Sequence, residues 1–149
     1  MTAIRLPSWG EVLRGPWALR LRSGGTGAWL MRGEAESVPE LECRFLDGRA
    51  ARTATGALQE LGQAFELEVP LGGFGDLPDA VEGGDGELAL LVLDADRLLM
   101  DETDALAPLL AALRAAADRV SLHVIFQARE LTPDAEAVLT EFGVAEIAA

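Results

Sequence analysis

From Leu41 onward the chain switches repeatedly between two hydrophobic periods. Leu41, Cys43 and Phe45 alternate with Glu42 and Arg44, a period-2 strand closed by Asp47-Gly48. Ala57, Leu58, Leu61, Ala64 and Phe65 then recur at helical spacing behind Thr53 or Thr55 as the cap. Gly56 and Gly62 each weaken that helix by about 1 kcal/mol relative to alanine. Val69 to Gly75 reads as a loop, and a short helix is expected from about Leu77 to Glu82. Leu88 to Leu93 is almost wholly apolar, as a strand buried on both faces requires. Leu106, Leu109, Leu110 and Leu113 return to helical spacing, with Pro108 placing the helix start near itself. Leu122, Val124 and Phe126 alternate as another strand. Thr132-Pro133-Asp134 starts a helix with a cap, a first-turn proline and an acid at its positive end. Ala135, Val138, Leu139 and Phe142 form its buried face, Gly143 ends it in a left-handed turn, and Val144 to Ile147 reads as a last short strand.

Strand and helix alternate through this region, which predicts an α/β domain: a parallel sheet with right-handed crossovers, covered by helices. Before it, Trp17 to Arg22 reads as a strand, Ser23 to Gly27 as a turn and Ala28 to Arg32 as a returning strand. That hairpin is expected to add antiparallel strands at an edge or to form a small appendage. Gly33 to Pro39 has the composition of a linker, dividing the chain into a hairpin extension (1–36) and an α/β domain (40–149) that ends in a helix–strand extension.

The chain has 149 residues, half of them hydrophobic, enough for a proper core. Its net charge of −13 is unevenly spread. Residues 1–33 carry five arginines against Glu11 alone, whereas residues 34–149 carry seven arginines against 24 acids. Such a body repels nucleic-acid phosphates and anionic lipid and attracts a basic protein. No apolar run approaches the ~18 residues of a membrane span. Met1 to Gly10 contains Arg5 and Pro7 and lacks the apolar core of a signal peptide. Cys43, the single cysteine, has no partner for an internal disulfide, which fits a reducing cytoplasm.

The same composition argues against catalysis. Leu91-Val92-Leu93-Asp94-Ala95-Asp96-Arg97 looks like the acidic motif of a helicase or ATPase after a buried strand, but that chemistry needs a Gly-rich phosphate loop with its lysine, and the chain contains no lysine. Gly24, Gly25 and Gly27 lie between two expected strands, not at a helix start, so they form no dinucleotide fingerprint. His123 is the only histidine, which rules out a multi-histidine metal site. A carboxylate-only magnesium site would rest on Asp94 and Asp96 alone. Cys43 reads as a small core residue. No enzyme activity, cofactor or metal is expected.

Arg44-Phe45-Leu46-Asp47-Gly48-Arg49, then Leu58 to Leu67, Phe74-Gly75 with Asp79-Ala80-Val81, and Leu90 to Leu99 follow one another in an order that resembles the barstar-like family, intracellular inhibitors of barnase-type ribonucleases. The resemblance covers about half the chain. It implies a barstar-like parallel sheet and a loop plus acidic helix that enter the cationic active site of a ribonuclease. Asp79 takes the place of the family's first inhibitory aspartate, with Phe74, Gly75, Asp76, Ala80 and Val81 around it. The family's asparagine is Leu77 here, followed by Pro78, and the second inhibitory acid falls at Gly83. The expected partner-binding residues are therefore Asp79, Asp76, Glu82 and Asp85, with Phe74 as an apolar contact. The expected partner is a basic protein, a barnase-like ribonuclease. The alternative is a non-inhibitory module that binds another protein through Trp9, Trp17, Trp29, Arg20 and Arg22.

Overall fold

A computed structural model describes residues 17–21, 41–81, 87–128 and 130–147. Five described strands form one sheet: β1 (Ala18–Leu21), β2 (Leu41–Asp47), β3 (Glu87–Leu93), β4 (Ser121–Gln127) and β5 (Ala145–Ile147). Their order across the sheet is β2-β3-β4-β1-β5, and every pairing is parallel. Four described α-helices accompany them: α1 (Ala54–Ala64), α2 (Leu77–Val81), α3 (Leu106–Arg119) and α4 (Pro133–Glu141). Short 3-10 turns at Phe74–Asp76 and Thr103–Ala105 precede α2 and α3.

The core follows from the registers. Leu46 pairs with Val92, Leu90 and Val92 with Val124 and Phe126, and Ala18 with Val124, so these side chains share one face. They pack in one buried cluster with Leu61 of α1, Leu77 of α2, Leu109 and Leu113 of α3 and Leu139 of α4. That is the arrangement right-handed crossovers produce when strands advance in one direction along a sheet. Ala89, Leu91, Ile125 and Leu19, on the other face, are buried as well, which explains why β3 carries almost no polar residue. None of the helices among the described residues is long and apolar enough to cross a membrane.

The expected caps hold. The Thr53 hydroxyl accepts from Gly56 N at 3.1 Å, and Thr132 accepts from Ala135 N at 3.2 Å with Pro133 in the first turn. Gly143 adopts φ +78° after α4, as a left-handed helix end demands.

The N-terminal expectation needs correction. The strand at Ala18–Leu21 is not an antiparallel edge or an appended hairpin. It lies between β4 and β5, parallel to both, with Ala18 beside Val124 and Leu19 beside Ala145. Ala18, Leu19 and Arg20 are all buried, so burial on both faces holds this strand inside the sheet. Among the described strands β5 pairs with β1 alone, so the C-terminal strand is part of the same sheet. The expected returning strand (Ala28–Arg32) and the linker lie outside the described residues.

Candidate functional site

Residues 72–81 present the acids singled out by the sequence. Leu77, Pro78 and Val81 are buried and seat α2 on the rest of the molecule. Leu77 and Val81 are four residues apart and share one helix face, which leaves Asp79 and Ala80 facing solvent. Pro78 is tolerated because first-turn residues have no intrahelical partner for an N–H. The preceding turn is closed by Asp76, whose Oδ2 accepts from Gly72 N at 3.0 Å while its own N–H donates to Gly73 O at 3.2 Å. Phe74 is half-buried against the core and so offers a partner only part of its ring.

Asp79 is an exposed carboxylate of this patch, its side chain 78% accessible. Arg119 at the end of α3 donates Nη1 to Asp79 Oδ1. A cation at a helix C-terminus is favoured by the macrodipole, so α3 presents Arg119 to the acid. Glu82 and Asp85 lie outside the described residues.

Of the alternative set, Trp17 and Arg20 are occupied by the fold. The Trp17 indole N–H donates to Phe142 O at 2.8 Å, tying β1 to the end of α4. Arg20 is 5% exposed and donates from Nη1 to Glu136 Oε1 at 2.7 Å. Neither is an exposed recognition residue. Trp9, Trp29 and Arg22 lie outside the described residues.

The carboxyl end of the sheet carries a second group of charges. Arg49 Nε lies 3.3 Å from Asp47 Oδ1 and 3.3 Å from Asp94 Oδ2, clamping the ends of β2 and β3. The hydrogen bond to Asp47, then the charges of Asp47 and Asp94, raise the Arg49 pKa above the ordinary guanidinium value. Asp96 faces Arg97 at 3.6 Å. Both acids that a magnesium site would use thus lie beside arginines. Among the described residues no group of three or more His, Cys, Asp or Glu is placed to hold a metal ion. Sequence reading missed the Arg49 clamp. The clamp depends on a pairing of separate segments: Asp47 lies beside Leu93, so the residues after both strands meet at one edge.

No family model matches this chain, and no curated protein matches it. Among solved structures, the crystal structure of Cdc6p from Pyrobaculum aerophilum is similar over 93% of this chain, with a TM-score of 0.57 and 20% identity. The chain spans 42% of the length of Cdc6p. At that identity the likeness concerns the fold alone, an α/β arrangement on an all-parallel sheet.

Proposed function

We propose that this protein is a barstar-type inhibitor of a basic ribonuclease, with Asp79 and Asp76 as carboxylates that stand in for RNA phosphates. Two things support the reading. The segments that carry the family resemblance form consecutive parts of one layered unit, β2–α1–α2–β3–α3–β4, with the three strands adjacent and parallel. The observation that carries the proposal is Asp79 itself. It stands exposed at the start of α2 and already engages a guanidinium, that of Arg119, in the way an incoming arginine would be engaged. The net charge of −13 draws a cationic partner toward the protein over long range.

The test is a titration of the intact chain with a barnase-type ribonuclease, read by calorimetry and by loss of RNA cleavage. Binding should be tight at low salt and weaken steeply as salt is raised. Asp79→Ala should weaken it by at least roughly tenfold while leaving the circular dichroism spectrum unchanged. Absence of binding at low salt overturns the proposal.

A further inference from the structure

We infer that the cavity at the carboxyl ends of β3 and β4 is a second, independent binding site, and that it takes a compact apolar molecule bearing a cationic group. The cavity holds about 500 Å³. It lies between the residues after β3, the start of α3 and the first half of α4. In open α/β sheets, ligands bind outside the carboxyl ends of the strands, and cavities of roughly 300–1,000 Å³ suit molecules of this size.

The lining states the chemistry. Phe126, Leu98, Leu106, Val138 and Leu139 supply the walls, and Met100, a large apolar side chain left 45% exposed, stands at its edge. Methionine adapts its shape to different apolar surfaces. Among the described residues the charged ones of the lining are Asp96, Asp104 and Asp134, each from a different segment, and none of the described basic residues lines the cavity. Asp96 has Arg97 at 3.6 Å, and Asp134 sits in the first turn of α4, where the helix dipole favours it. Asp104 has neither an ion pair nor a carboxylate hydrogen bond among the described residues. A fatty acid or other anionic amphiphile would bring its head group against three carboxylates. An organic cation meets complementary charge at the rim and apolar surface inside.

This site is separate from the one around Asp79. The 14 residues of α3 span about 21 Å. Arg119 and Asp79 lie at its C-terminal end, whereas Leu106 and Ala107 line the cavity at its N-terminal end.

Three probes of matched shape test the inference on the intact chain by calorimetry: 1-naphthylmethylammonium, 1-naphthylmethanol and 1-naphthoate. The ammonium should bind roughly tenfold or more tightly than the carboxylate, with the alcohol between them and the gap narrowing as salt is added. Asp104→Asn should reduce the preference for ammonium over alcohol by about threefold without changing alcohol binding. Ala135→Trp, which fills the cavity, should abolish binding of all three, and Val138→Phe serves as the same block if the tryptophan variant does not fold. No heat from the ammonium at millimolar concentration, equal binding of the carboxylate, or binding that survives a folded cavity-filling variant would each overturn the inference. None of these outcomes bears on ribonuclease binding through Asp79.

Discussion

Asp79 and Arg119, forty residues apart in sequence, form an ion pair that joins the start of α2 to the end of α3. The Asp79 side chain is 78% accessible and that of Arg119 44%, so water screens the pair and it contributes little to folding. Asp79→Asn and Arg119→Ala should each shift stability by less than about 1 kcal/mol in urea unfolding. Their effects on a basic ribonuclease should be opposite. Removing Arg119 deletes a cation beside the acidic patch and should speed association at low salt, and neutralising Asp79 should slow it. Stopped-flow association rates that move in the same direction for both variants would contradict the role given to Asp79.

Gly48 is set by a close approach. Its N–H donates to Leu93 O at 2.7 Å, and a Cβ there would lie 2.2 Å from Asp94 O and 2.7 Å from Leu93 O. Those are backbone atoms, so the junction of β2 and β3 must move to admit alanine. Gly48→Ala should cost about 3 kcal/mol. Gly62, in the last turn of α1, meets nothing within 4 Å, and Gly62→Ala should stabilise by up to about 1 kcal/mol. Chemical denaturation of the two variants should therefore give midpoints on opposite sides of the parent.

Arg20 is buried within the sheet with Glu136 as an ion-pair partner, and its Nε and Nη2 have no hydrogen-bond partner among the described residues. Such a pair gives back little of its desolvation cost, although the 41% exposure of Glu136 keeps that carboxylate partly hydrated. Arg20→Met, which keeps the length and drops the charge, should leave stability within about 1 kcal/mol of the parent or raise it. Glu136→Ala leaves the guanidinium buried and uncompensated and should cost about 2 kcal/mol. The reverse ranking in urea melts would make the pair a net stabilising contact.

Trp17 fastens α4 through a single hydrogen bond to Phe142 O. Trp17→Phe retains most of the apolar contact and loses the donor, at a cost of about 1 kcal/mol. The loss should be local: amide exchange should quicken in α4 and β5 before it does in β3, whose residues from Ala89 to Val92 are buried.

Elements with a local signal were legible in the sequence. Thr53 and Thr132 announced two helix starts, the apolar run of Leu88 to Leu93 announced a strand buried on both faces, and Gly143 announced the end of α4. The short acidic helix was expected at its observed place, with Asp79 on its exposed side and Asp76 exposed in the turn before it. The place of β1 was not legible. Four residues are too few for a period to reveal burial on both faces, and Arg20 reads as a surface residue until its partner on α4, 116 positions away, is brought to it. For the same reason the Arg49 clamp and the acid-rimmed cavity were invisible, since each is made of residues from separate segments.

The sequence by itself determined which stretches become strands and helices, where most of them stop, and that the surface is acidic, because periodicity, caps and charge are properties of neighbouring residues. The tertiary structure alone decided the strand order β2-β3-β4-β1-β5, the pairing of Asp79 with Arg119 and the enclosure of a cavity at the sheet's carboxyl edge. Those depend on which surfaces meet after the chain closes long loops, and packing and inter-strand hydrogen bonding select that outcome among many with the same local pattern.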